Sequence, residues 1–147
     1  MPKKIVFLFE RGGELTAELM PDVAPLTVEG FLEILPLTVT VYHSRWCGRE
    51  FNFPLKTKRN IPREKQTATC NTGDVVYWKE WELAPPAEAA EAIGVYYGAE
   101  VLRDHRGYLP VNPFARIPQS QWKRIEEIGL RIWQQGIEKV TVDVLQE

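Results

Sequence analysis

Two histidines and two cysteines are all that 147 residues contain, and neither pair is spaced as metal-ligand or redox motifs are. A three-histidine metal site is thereby excluded. His43 and His105 also stand in unlike contexts, so no metal is expected. Cys47 and Cys70 are isolated thiols, without CxxC, which points to a reducing, cytoplasmic setting. A Cys47–His43 nucleophile pair fails on reach, because four residues of extended chain separate the side chains by up to ~13 Å. GxSxG and Gly-rich phosphate loops are missing, and Gly12-Gly13 and Gly73-Asp74 are turn signals only. No cofactor is therefore expected. No apolar run approaches the roughly 18 residues of a membrane helix, and the one after Met1 is too short for a signal peptide. The net charge of −2, with no basic face, argues against nucleic acid. The single basic cluster, Lys56, Lys58, Arg59, Arg63 and Lys65, reads as a solvated loop, with an anionic ligand or partner as the second reading.

What is present is ordinary globular composition, 44% hydrophobic and 26% charged, in a length suited to one domain spanning 1–147. Ile5 to Phe9 reads as a strand, Arg11-Gly12-Gly13 as a hairpin turn, and Leu15, Ala17 and Leu19 as the buried face of the return strand. Val28, Phe31, Leu32 and Leu35 follow helical spacing between Pro25 and Pro36. Strands are expected over Thr38–Trp46, around Phe51 and Phe53, at Thr67–Thr69, over Val75–Trp78, Ile93–Tyr97 and Val111–Ile117, and at Val140–Val144. Residues 84–92 are ambiguous between loop and helical turns. A helix near 120–135 carries one apolar stripe of Trp122, Ile125, Ile128, Gly129, Ile132 and Trp133, with Ser120 as its cap and Gly136 at its end. About eight short strands and two separated helices favour a mainly β, α+β fold closed into a barrel, since closure removes exposed edges.

Ligand-competent side chains are densest from Tyr42 to Phe51. On a continuous strand, His43 and Arg45 would share one face, where imidazole and guanidinium could clamp a carboxylate or polarise a carbonyl. The alternative is that they face solvent, with Arg49 and Glu50 as surface charges. Whether Arg45 or Arg49 faces a cleft is left open. Of the aromatic set Trp46, Tyr77, Trp78, Tyr96, Tyr97 and Phe114, most would be core and some could wall an apolar cleft.

Ala24-Pro25-Leu26-Thr27-Val28-Glu29-Gly30-Phe31 resembles the AP-x-T-x-x-x-F helix start of cyclophilins, and Gly13–Leu19 resembles their second strand. The chain resembles more closely an uncharacterised prokaryotic family of cyclophilin-like proteins. The shared features are Leu35-Pro36, then His43, Arg45, Trp46 and Gly48, then Phe53-Pro54-Leu55, then Gly73, Asp74, Val75 and Tyr77. Gly98, Asn112, the Phe114–Ile117 run and a closing Trp-containing helix complete the pattern. The resemblance implies a cyclophilin-like closed β-barrel of about eight strands capped by two helices. Its prolyl isomerase activity transfers badly. The F-H-R arginine is displaced by one residue in Tyr42-His43-Ser44-Arg45, and the Q-GGD-like run is replaced by Glu50–Pro54. The resulting expectation is a protein binding a small polar, carboxylate- or amide-like metabolite in a barrel-side cleft, with His43, Arg45, Trp46, Glu50, Tyr77, Asn112, Phe114 and Arg116 as ligand candidates. The alternatives are an accessory subunit of an amide- or lactam-processing enzyme, a divergent peptidyl-prolyl isomerase, and an interaction module without a ligand. A homodimer is the default oligomer.

Overall fold

Alternation of apolar and polar residues builds the wall of the molecule. The computed structural model describes residues 1–146. Its barrel strands are Lys4–Phe9 (β1), Glu14–Leu19 (β2), Leu37–His43 (β3), Glu50–Pro54 (β4), Asp74–Lys79 (β6), Glu91–Tyr96 (β7), Asn112–Arg116 (β11) and Glu138–Val144 (β12). Short strands Thr69–Cys70 (β5), Glu100–Val101 (β8), Arg103–Asp104 (β9) and Gly107–Tyr108 (β10) pair outside it, β5 with β8 and β9 with β10. Among the described residues the eight wall strands close in the order β1-β12-β3-β4-β7-β6-β11-β2, every neighbour antiparallel. Every second residue faces inward. Ile5, Phe7, Leu15, Phe51, Phe53, Val75, Ile93, Val95 and Val142 fill one core in which Phe7 meets Phe53 and Phe9 meets Phe51 edge to face.

Helices close both ends. Pro25–Leu32 (α1) follows β2 and buries Val28 and Phe31, the latter edge-on to Phe114 at 5.4 Å between centroids. Trp122–Gln135 (α2) covers the end carrying the β1–β2 hairpin, with Ile125, Ile128 and Ile132 turned into the core. Gly129 lets α2 approach closely, because a Cβ there would overlap the Tyr97 ring. Glu138 anchors this end, accepting hydrogen bonds from Arg11 Nε at 3.1 Å and from Arg131 Nε and Nη2 at 2.9 Å each.

Four local expectations need correction. α1 stops at Leu32 rather than reaching Leu35, and residues 33–36 form a turn into β3. β3 ends at His43 instead of Trp46, because Ser44 Oγ accepts from the backbone N–H of Trp46 (3.2 Å) and Cys47 (2.8 Å) and bends the chain. Ser120 does not cap α2. It lies in a 3-10 turn over Gln119–Gln121, and the Gln121 side chain is drawn away into two hydrogen bonds with Thr16. Trp133 leaves the apolar stripe and is 63% exposed, while Gly136 ends the helix at φ +94°. The ambiguous segment 84–92 resolves into irregular turns before β7 begins at Glu91.

Candidate functional site

The outward residues of three neighbouring strands are not solvent-facing. Phe51 and Phe53 of β4 point inward, so Glu50 and Asn52 point outward; on β7 the outward residues are Ala92, Gly94 and Tyr96, and on β6 they are Val76 and Trp78. Segment 97–111 and loop 44–49 fold over this wall. Cys47, Cys70, Val76, Tyr96, Leu102 and Val111 form a second buried apolar cluster, with Trp78 and Leu109 against it. Between wall and cover lies a cleft of about 420 Å³, within the range of small-molecule sites.

The floor of the cleft is polar. Glu50 is only 7% exposed and accepts a hydrogen bond from Asn52 Nδ2 at 2.7 Å. Its carboxyl lies flat on Gly94, where a Cβ would overlap Oε2. Burial raises its pKa to about 6, against the lowering effect of the hydrogen bond from Asn52. Tyr96 Oη lies beside Glu50 and Cys47, yet is buried without a hydrogen bond of normal geometry. Such a hydroxyl carries a desolvation cost that a bound polar atom would recover. Burial pushes the Tyr96 phenol far above its ordinary range and raises the Cys47 thiol, so neither serves as an anionic nucleophile near neutral pH.

The mouth is cationic and aromatic. Arg106 is already spent, forked onto Glu80 at 3.0 Å through both terminal nitrogens and onto Asp104 at 2.7 Å. Arg45 and Arg103, both exposed, have no carboxylate partner among the described residues. Trp46 is 56% exposed and meets His105 at 6.4 Å across the opening. Loop 44–49 is held by Glu100, which accepts from Arg49 N (3.1 Å) and Nε (2.6 Å) and lies where a Cβ of Gly48 would fall. Arg49 is thus a clamp for the loop, and Arg45 is the arginine at the cleft. Among the described residues no three His, Cys, Asp or Glu side chains gather as a metal site requires.

Of the eight ligand candidates, Arg45, Trp46 and Glu50 meet in this cleft. His43 does not join them. It opens into a neighbouring hollow under α2, with Nε2 2.5 Å from Tyr97 Oη and its ring 4.8 Å from that of Trp133. Tyr77 is inside the barrel, its Oη donating to Glu91 Oε1 at 2.7 Å. Asn112 is buried at the α1 end, Phe114 is core, and Arg116 is exposed and paired with Asp74 at 3.1 Å. His43, Tyr77, Asn112, Phe114 and Arg116 therefore lie outside the cleft that Arg45, Trp46 and Glu50 share. Sequence reading missed Asn52, Gly94 and Arg103 as parts of the site, and named Tyr96 only within the aromatic set that could wall a cleft. The available signal was small Ala92 and Gly94 on the face opposite Ile93 and Val95.

Fold and cleft together define a cyclophilin-like barrel whose outer wall is roofed by its own excursion. The chain belongs to the family described as Protein of unknown function (DUF3830), whose model matches residues 6–144. No curated protein matches it. The structure described as McbB in complex with tryptophan is similar at TM-score 0.72 and 17% identity, over 97% of this chain and 45% of that one. This chain thus spans less than half of McbB. A hypothetical protein, AF2241 from Archaeoglobus fulgidus, is similar at TM-score 0.59 and 22% identity, over 98% and 95% of the two chains. The Mimivirus cyclophilin follows at TM-score 0.51 and 9% identity, over 96% and 86%. At these identities the likeness is one of fold.

Proposed function

We propose that the roofed cleft binds a small metabolite bearing an amine- or amide-like group at one end and a carboxylate at the other. The observation that carries this reading is Glu50, a buried acid set on Gly94 at the base of an apolar cleft, beside a Tyr96 hydroxyl lacking a partner. A ligand N–H would satisfy Glu50, and a carbonyl or hydroxyl would accept from Tyr96. Trp78, Val76, Leu102 and Leu109 would cover an apolar middle, and Arg45 and Arg103 would meet the carboxylate. No helix among the described residues is long and apolar enough to cross a membrane. A cytoplasmic protein with Cys47 and Cys70 as free thiols fits this reading.

Thermal-shift and calorimetric titration test it with amino acids including tryptophan, their amides, and carboxylic acids of matched shape lacking nitrogen. Ligands with both ends are expected to raise the melting temperature, and one present at 100 times its Kd should stabilise by about 2.7 kcal/mol. Arg45→Ala is expected to weaken the best of them roughly tenfold, as loss of one charged hydrogen-bond partner does. A panel that leaves the melting temperature unchanged, or a hit indifferent to both Arg45→Ala and Glu50→Gln, overturns the proposal.

A further inference from the structure

The basic run at 56–65 is divided by the fold. Arg59 turns to Glu33 (2.7 Å) and Glu29 (3.1 Å) on α1, and Arg63 reaches Glu82 (3.3 Å) and lies over the Trp81 ring. Lys56 and Lys58 are left beside a separate cavity of about 310 Å³ at the α1 end of the barrel. Lys79 also lines that cavity, and it is the unusual member. It ends β6 on the inward face shared by Val75 and Tyr77, is 3% exposed, and its side chain makes no hydrogen bond or ion pair among the described residues.

Its register partner across β6–β7 is Glu91, an acid that would ordinarily neutralise it. That carboxylate is already engaged. Oε1 accepts from Tyr77 Oη (2.7 Å) and Thr57 Oγ1 (2.5 Å), Oε2 accepts from Thr57 N (3.3 Å), and Lys56 Nζ lies 3.9 Å from it. Three lysines therefore face one occupied carboxylate. The Lys79 ammonium, at the end of a side chain otherwise buried in the barrel, opens onto this cavity with no counter-charge, and an anion entering there would supply one.

We propose that this cavity is a second binding site, selective for a phosphoryl dianion, with Lys79 reaching it from the barrel interior and Lys58 and Lys56 from the loop. The group could arrive as inorganic phosphate or as the phosphate monoester of a small metabolite, and both present the same charge and acceptor oxygens. The site lies at the end of the barrel and is independent of the cleft containing Glu50.

The test is thermal unfolding of the full chain with inorganic phosphate, glycerol 3-phosphate or chloride at constant ionic strength. Phosphate at ten times its dissociation constant is expected to raise the melting temperature by roughly 3–5 °C, with chloride inert. Tighter binding of glycerol 3-phosphate would identify a monoester as the ligand, and binding of inorganic phosphate alone would identify the free ion. Lys79→Met should abolish the phosphate response while raising the melting temperature without phosphate, since the unpaired charge is gone. Lys58→Gln, at an exposed position that folding does not need, should weaken phosphate at least threefold, and Arg45→Ala should leave it unchanged. Equal responses to phosphate and chloride overturn the site, as does a full phosphate response in both lysine variants or its loss in Arg45→Ala.

Discussion

Replacing Asn112 with alanine is expected to lower the unfolding free energy by about 3 kcal/mol, the largest effect of a single polar substitution in this barrel. The side chain is fully buried and uses its whole hydrogen-bonding capacity. Oδ1 accepts from Glu64 N (2.9 Å) and Gln66 Nε2 (3.1 Å), while Nδ2 donates to Thr27 Oγ1 (3.0 Å) and Pro62 O (2.9 Å). Truncation leaves several of these groups without partners in a site that water cannot enter freely. The loss also travels. Glu64, positioned through its own N–H, caps α1 from outside the helix by accepting from Leu26 N (3.1 Å), Thr27 N (2.8 Å) and Thr27 Oγ1 (2.7 Å). Ala24, at the usual capping position, has no side-chain oxygen to do so. Urea unfolding should show the lower midpoint, and hydrogen exchange should accelerate first at the amides of Leu26, Thr27 and Glu64. A cost under 1 kcal/mol would refute the clamp, as would a loss of ligand binding with stability intact.

Asn112 also illustrates which features sequence could reveal. Periodicity found the wall where the two faces meet unlike surroundings, as in Ile5–Phe9, Leu15–Leu19 and Val140–Val144, and it found the buried stripe of α2. Motif order then specified the barrel topology that periodicity alone leaves open. Features set by a single distant side chain stayed hidden. Nothing between Val111 and Pro113 indicates that Asn112 ties together α1 and the 62–66 loop, and nothing in 119–121 indicates that Thr16 takes the Gln121 side chain. The end of β3 turned on one hydroxyl, Ser44 Oγ, competing for two backbone amides. Glu50 was read both as a ligand candidate and as a surface charge, and that ambiguity has a physical reason. An outward position on a half-buried strand reads as solvent-facing, and its roof is the unpatterned, polar segment 97–111, whose docking is entirely non-local.

Glu50→Gln is expected to stabilise the protein and weaken its ligand, two effects of opposite sign from one atom exchange. The folded-state pKa of Glu50 is raised from 4.5 to about 6 by burial, so the native state holds this proton more tightly than the unfolded chain. The resulting stability is fully present below about pH 4.5 and is lost as pH rises through 6. The shift corresponds to about 2 kcal/mol withheld at pH 7.5. Glutamine removes the charge and can still accept from Asn52, so the variant should exceed the wild type by about that amount at pH 7.5 and match it at pH 4. The difference between the two proteins is the informative quantity, because Glu33 and Asp104, lowered by hydrogen bonds from Arg59 and Arg106, lose their stabilisation toward low pH. Their contributions cancel in the comparison. Ligand binding should move the other way. An amine seated on Glu50 favours the carboxylate, so affinity should rise with pH through 6 and proton release should appear in calorimetry across buffers of different ionisation enthalpy. In Glu50→Gln the same ligand should bind ten- to a hundredfold more weakly, as expected for a charged hydrogen bond, with the pH dependence near 6 gone. Identical pH–stability curves for the two proteins would mean that Glu50 is not the buried acid described. Equal affinity with a retained pH dependence would place the ligand elsewhere.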